Sequence, residues 1–193
     1  MAIEKFSNVK VDNFEDYNAE IHRITIESIQ IALLQMLETT SFEKISIKEL
    51  VETAGVSRSA FYRNYKSKEE VVDSLIYDSL HRKFRQVSVE LEQEKAEDET
   101  DFRGRWITII KEMFLENDAV YRLITSGACQ GNDILRCMNR CFSEVFAKEQ
   151  DDYEMLRYHY LIGGIYNILL HWLDAGRKID SQRLAEVIMS FYE

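Results

Sequence analysis

The chain has 193 residues, of which 46% are hydrophobic, and it carries a formal net charge of -10. That hydrophobic content excludes a disordered chain, and three cysteines without a CxxC pair argue against a disulfide framework. Proline is absent and glycine occurs only seven times, so the strongest helix breakers hardly interrupt the chain and we expect an all-α fold.

No stretch contains the ~18 consecutive apolar residues of a membrane span, and the sequence MAIEKFSNVKVDNFEDYNAE has neither the basic nor the apolar region of a signal peptide. We therefore expect a soluble protein of the cytoplasm, without a membrane partner. Charge is uneven along the chain: residues 1–85 carry 12 basic and 14 acidic side chains, whereas residues 86–193 carry 12 and 20. The N-terminal half is therefore the part of the chain that would repel a polyanion least.

Four helices are predicted in the first half of the chain. Apolar residues three and four apart indicate the first over 19–38. Ser46, with a glutamate three residues later, forms a capping box that opens a short second helix. Gly55 ends this helix because glycine adopts positive φ without strain, and Ser57 caps a third short helix that runs to about residue 65.

A long fourth helix and a C-terminal set of helices complete the predicted fold. Ser67 repeats the capping box, and apolar residues spaced 4-4-4-3-4 extend this helix to Glu94, roughly 40 Å at the helical rise. Further helices are predicted over residues 101–116, 117–128, 132–149, 152–175 and 181–192. We expect about nine helices: a three-helix helix-turn-helix domain in residues 1–66, joined by the long helix to a helical bundle in residues 67–193.

The third helix lies in a stretch that is unusually basic for an acidic chain. From Lys44 to Lys68 there are six basic and two acidic side chains. At helical spacing, one side of the third helix carries its polar residues, Arg58, Ser59, Tyr62 and Arg63. A short helix, a glycine turn and a second helix with a basic face indicate a helix-turn-helix whose second helix enters the major groove of DNA. A solvent-exposed amphipathic helix pair is the alternative.

The residue types on this face suit contacts with DNA. Arginine can form two hydrogen bonds with N7 and O6 of guanine, and serine can bond to any base. Other side chains are placed where they could bind phosphate, as are the backbone donors at the helix N-termini; these side chains are Ser46, Tyr62, Lys66 and Lys68.

Residues 24–75 resemble the N-terminal DNA-binding domain of the TetR family of transcriptional regulators, in the motifs IKELVETAGVS, FYRNY and KSKEE at the family's spacing. The resemblance implies base contacts from Arg58, Ser59 and Ala60. It implies phosphate contacts from Ser46, Tyr62, Asn64 and Lys68. The complete set of predicted DNA-contacting residues is Ser46, Ser57, Arg58, Ser59, Ala60, Tyr62, Arg63, Asn64, Lys66 and Lys68.

Near the C-terminus, the stretch YHYLIGGIYNILLHWL is apolar nearly all the way round a helix, so it must be buried on several sides. Together with the last helix, it predicts a homodimer whose interface is a four-helix bundle, as the resemblance also implies. Such a dimer would hold two recognition helices about 34 Å apart, which fits a palindromic operator. The alternative is the core helix of a monomer. The predicted interface residues are Tyr158, Ile162, Gly163, Tyr166, Leu169, Leu170, Leu184, Val187, Ile188 and Phe191.

Large apolar residues of the C-terminal half are candidates for an effector pocket, although such residues usually form ordinary core. The resemblance implies a domain that senses a small molecule, here of apolar or aromatic character. The predicted lining residues are Trp106, Met113, Phe114, Tyr121, Met138, Phe142 and Tyr166.

Cys137 and Cys141 are four residues apart and would share one helical face. Zinc requires four ligands, and the nearest histidine in sequence, His159, lies on another predicted helix. We therefore expect structural thiols, with no metal site and no cofactor. The sequence also has no GxSxG motif and no glycine-rich phosphate loop, so we expect no enzyme.

The sequence thus predicts a DNA-binding transcriptional regulator, a repressor released by a small-molecule effector. A second hypothesis is a TetR-like co-regulator that acts through protein contacts or a ligand without specific DNA binding. Overall acidity supports it, as do the serine at Ser59, where the family often has glycine, and the alanine at Ala60, where it often has threonine.

Overall fold

A computed structural model describes residues 14–94, 107–108, 110–112, 118–129, 131–146 and 151–191. Every regular element in these ranges is helical, which confirms the predicted all-α class. The elements are α1 (Phe14–Met36), a 3-10 turn (Phe42–Lys44), α2 (Ile47–Ala54), α3 (Arg58–Asn64), α4 (Lys68–Glu94), α5 (Asp118–Thr125), α6 (Gly131–Phe146), α7 (Asp152–Asp174) and α8 (Ser181–Met189). None of the described helices is long and apolar enough to cross a membrane.

The predicted helices correspond closely to the observed ones, except at their ends. Helix α1 starts at Phe14, five residues before its predicted start. Helix α4 runs from Lys68 to Glu94, as its apolar spacing indicated. The predicted helix over residues 101–116 lies mostly outside the described residues, and the described residues from 107 to 112 are helical.

The chain divides into two compact units. The first comprises Met1–Leu75 and Arg122–Gln130, and the second comprises Ile76–Tyr121 and Gly131–Glu193. The division therefore falls inside α4, whereas the sequence placed a domain boundary just before this helix. A separately folding domain in residues 1–66 stays a prediction.

The core of the first unit joins α1 to the three helices that follow it. Ile29 and Leu33 of α1, Leu50 of α2 and Phe61 of α3 are fully buried, and so is Val71 in the first turn of α4. Their burial stabilises the unit by about 25 cal/mol for each Å² of apolar surface removed from water. They fix the orientation of α2 and α3 against α1.

Local signals set the ends of α2 and α3 where the sequence indicated. Gly55 has φ 67° and ψ 30°, the left-handed conformation that glycine adopts without strain. The backbone N–H of Val56 donates to the carbonyl of Val51 at 3.0 Å, which closes a Schellman-type turn. Ser57 then accepts a hydrogen bond from the backbone N–H of Ala60 at 3.1 Å and starts α3.

In the second unit, α7 and α8 both contribute apolar side chains to the core of their own chain. Five of the predicted interface residues, Ile162, Tyr166, Leu169, Leu184 and Ile188, are buried there. Their side chains are covered within their own chain, and an apolar pattern does not tell which neighbour covers each side. Their place in a dimer interface stays a prediction. Tyr158, Gly163, Leu170 and Val187 are half-buried, and Phe191 is exposed.

A different set of apolar side chains on α7 faces solvent. Tyr153 is 70% exposed, Leu156 68% and Tyr160 79%. Their spacing of three and four residues puts them on one helical face. The sequence did not single these three out, because the whole helix is rich in apolar residues.

Candidate nucleic-acid interface

The burial of Phe61 determines which side of α3 faces outward. Its ring packs edge-on against Tyr62, with ring centroids 5.4 Å apart, and tilted against Tyr65 at 5.9 Å. The opposite side of the helix is exposed, and it carries Arg58, Ser59, Tyr62 and Arg63. These are the four polar residues that the helical spacing predicted to share a face.

Arg58 is held in place by Tyr62, one turn further along the helix. Its Nη2 donates to the Tyr62 hydroxyl at 3.3 Å, and its guanidinium carbon lies 5.5 Å from the centroid of that ring. A planar guanidinium with two donors in a fixed fork matches the N7 and O6 acceptors of guanine. Holding this side chain against tyrosine reduces the conformational entropy that it loses on binding.

The serine hydroxyls at the start of α3 already have partners. Ser57 caps the helix, and its Oγ lies 3.0 Å from the Oγ of Ser59. Ser59 is exposed, whereas Ala60 is half-buried. The exposed Ser59 hydroxyl is therefore accessible to a base edge.

Ser46 uses its hydroxyl in the predicted capping box at the start of α2. Its Oγ accepts from the backbone N–H of Glu49 at 3.2 Å and donates to Glu49 Oε2 at 2.7 Å. The Ser46 backbone N–H donates to the same carboxylate at 3.0 Å. These hydrogen bonds hold the pKa of Glu49 below its usual value, so the cap is fully formed at neutral pH and is lost only as the pH falls through that lowered pKa.

The half-buried Lys68 is bonded to carbonyls of its own chain, which the sequence did not indicate. Its Nζ donates to the carbonyls of Phe42 at 2.7 Å, Glu43 at 3.2 Å and Ile45 at 2.9 Å. It also lies 4.4 Å from the centre of the Phe42 ring. An ammonium group has three N–H donors, so all of them are used to tie the first turn of α4 to the 3-10 turn. The implied phosphate contact of Lys68 stays a prediction.

The remaining predicted contacts differ in exposure. Asn64 is half-buried; its Nδ2 donates to the carbonyl of Ala60 at 2.7 Å, and its buried Oδ1 has no partner among the described residues. Arg63 and Lys66 are exposed. Two further exposed cations of the same unit, Lys44 and Lys48, were not among the predicted contacts.

Four of the seven predicted effector-pocket residues lie among the described residues. Trp106, Met113 and Phe114 lie outside the described residues. Met138, Phe142 and Tyr166 are buried, and Tyr121 is half-buried. Phe142 packs against Phe84 and Tyr158, with ring centroids 5.9 and 4.5 Å apart.

A shallow cavity of the second unit has a volume of about 280 Å³, and its described lining residues are Ile107, Arg183, Glu186, Val187 and Ser190. None of the four described members of the predicted pocket lines it. The pocket therefore stays a prediction.

Known proteins share both the fold and parts of the sequence. The chain is similar to the crystal structure of a TetR transcriptional regulator from Streptococcus agalactiae 2603V, at 21% identity over 91% of this chain and 97% of that one, with a TM-score of 0.59. It is also similar to NalD, the secondary repressor of the MexAB-OprM multidrug efflux pump in Pseudomonas aeruginosa, at 16% identity over 89% and 94% of the two chains, with a TM-score of 0.52. The TetR-type fold implied by the sequence motifs is thereby confirmed.

Comparison of sequences adds further relatives and a family. The nucleoid occlusion factors SlmA of Shewanella oneidensis and Shewanella putrefaciens are 28% identical over 170 residues, which covers 86% of this chain and 78% of each relative. The profile of DUF6262, a family of unknown function, matches residues 10–119, and the chain belongs to that family.

The bonds of Lys68 lead to a test by substitution. Lys68→Ala should lower the free energy of unfolding by about 1–3 kcal/mol, because three carbonyls lose a charged donor. Lys66→Ala, which removes an exposed cation two residues away, should change it by less than about 0.5 kcal/mol. Urea denaturation followed by circular dichroism measures both. Equal stability of the two variants would contradict a structural role for Lys68.

Proposed function

We propose that this protein is a sequence-specific DNA-binding transcriptional regulator, whose helix α3 enters the major groove. The observation that carries the proposal is the exposed face of α3, where a restrained arginine, a serine hydroxyl and a second arginine lie side by side. Phe61 anchors the opposite side of the helix in the core. The protein acts by binding rather than catalysis, in the cytoplasm where its DNA is found.

The stretch around α3 also supplies the charge that a polyanion requires. Lys44, Lys48, Arg63 and Lys66 are exposed in the same compact unit. Each such cation placed near a phosphate displaces a condensed counterion, so the binding constant should fall steeply with salt. The acidic remainder of the chain repels DNA elsewhere, which favours binding through this unit.

The protein acts as a homodimer on a palindromic operator. The exposed stripe of Tyr153, Leu156 and Tyr160 on α7 supports this proposal, since three large apolar side chains on one helical face leave water when a second copy covers them. A two-fold dimer presents two copies of α3 and therefore reads two inverted half-sites.

The regulator represses transcription, and a small apolar or aromatic effector relieves this repression. A ligand that binds better to the conformation with poor DNA affinity weakens DNA binding by that same difference in affinity. The description of NalD as a repressor supports this sign of regulation.

A second candidate is a co-regulator that keeps the fold without reading DNA. The internal bonds of Lys68 and of the Ser46 hydroxyl support it, since two groups at implied phosphate positions are already occupied. Such a protein would show no preference between DNA sequences.

The base-reading role is tested with DNA flanking the protein's own gene. Arg58→Ala should weaken binding to the preferred sequence by about 1–3 kcal/mol while leaving binding to random DNA nearly unchanged. Fluorescence anisotropy at several salt concentrations measures both affinities. Arg82→Ala, an exposed arginine of the second unit, is the matched control and should change neither. Equal losses on both DNAs would remove Arg58 from base readout, and equal wild-type affinities for both would favour the co-regulator.

The dimer is tested separately, by light scattering. Tyr160→Asp should shift the protein from dimer to monomer at micromolar concentration, because a carboxylate would be buried without a partner in the interface. Tyr17→Asp on α1, where the tyrosine is 41% exposed, should leave the dimer intact. A dimer that survives Tyr160→Asp unchanged would contradict an interface on this face.

A further inference from the structure

Two cysteine sulfurs lie side by side on α6, in the second unit. The Sγ atoms of Cys137 and Cys141 are 4.0 Å apart. Cys141 is fully buried, and its Sγ donates to the backbone carbonyl of Tyr77 on α4 at 3.9 Å. Cys137 is half-buried. The third cysteine, Cys129, lies in the loop before this helix.

The spacing of the pair argues against a disulfide. Residues four apart on a helix have Cβ atoms about 5–6 Å apart, whereas a disulfide requires about 3.5–4.5 Å. Direct oxidation would therefore have to distort α6.

The pKa of the Cys141 thiol also argues against direct oxidation. The neighbouring Cys137 sulfur and burial raise the pKa of Cys141. The thiolate is the form that reacts with oxidants, so Cys141 reacts slowly with peroxides.

The same spacing suits a single atom bonded to both sulfurs. Two Zn–S bonds of about 2.3 Å at a tetrahedral angle, for example, hold their sulfurs about 3.8 Å apart. Zinc itself needs four ligands, and no group of three or more candidate ligands occurs among the described residues. The pair therefore fits a thiophilic centre that requires only two sulfurs.

We propose that Cys137 and Cys141 form a dithiol site for trivalent organoarsenicals, of the type RAs(OH)2. Each thiol condenses with one hydroxyl of the arsenical: an As–S bond forms, an As–O bond breaks, and the thiol proton leaves with the hydroxyl as water. Two waters are released and no oxidant is needed. Soft thiol ligands select soft centres of this kind.

Loading the site would change a contact between α4 and α6. Once its sulfur is bonded to arsenic, Cys141 no longer donates to the carbonyl of Tyr77. Next to this contact, the Tyr77 hydroxyl donates to Glu144 at 2.6 Å, and the Arg140 guanidinium lies 4.0 Å from the centre of the Tyr77 ring. A bound organic group would lie near these side chains.

The proposal is tested with phenylarsine oxide and the full-length protein, by native mass spectrometry in a phosphine reductant. Wild type should bind a single equivalent, which a small dithiol removes and a monothiol at the same concentration does not. Cys137→Ser and Cys141→Ser should each lower the affinity for the arsenical roughly 100- to 10,000-fold. Each variant keeps only one of the two thiols, so it loses the gain from forming a second As–S bond within the same molecule. Cys129→Ser should bind like wild type.

Two outcomes would overturn the proposal: full affinity in Cys137→Ser, or wild-type binding that a monothiol reverses as readily as a dithiol. Cys137→Ala, with circular dichroism on every variant, separates lost binding from lost folding. Since the readout is binding of the arsenical itself, the result is independent of whether the protein binds DNA.

Discussion

The candidate interface depends on the burial of a single aromatic ring. Phe61 is fully enclosed by the first unit, and α3 has only seven residues, too few to be stable on its own in water. Its packing against α1 and α2 both stabilises α3 and decides that Arg58 and Tyr62 face outward. The interface is therefore a consequence of the hydrophobic core, with polar chemistry added to the side that the core leaves free.

Signals within a few residues of each other could be predicted from the sequence. The Ser46 capping box, the left-handed turn at Gly55 and the Ser57 cap are all found where the sequence placed them. In each case the donor and the acceptor lie within five residues, so their spacing alone fixes the geometry. The outward face of α3 followed for the same reason, since helical spacing orders side chains around the axis.

Contacts between distant parts of the chain could not be predicted in this way. Lys68 is 23 to 26 residues from the carbonyls that it binds, and nothing in its neighbourhood distinguishes it from Lys66. Helix α7 posed the same difficulty, because its apolar residues indicated burial without identifying the neighbour. Ile162 and Tyr166 face the core of their own chain, while Tyr160 faces solvent.

The most direct measurement is selection of DNA from a randomised library by the purified protein, followed by sequencing. We predict enrichment of one motif made of two inverted half-sites, with centres about 10 base pairs apart, and a retained fraction that falls as salt is raised. Enrichment of a single half-site would contradict the dimer. A library that remains random after selection at low salt would contradict sequence-specific DNA binding.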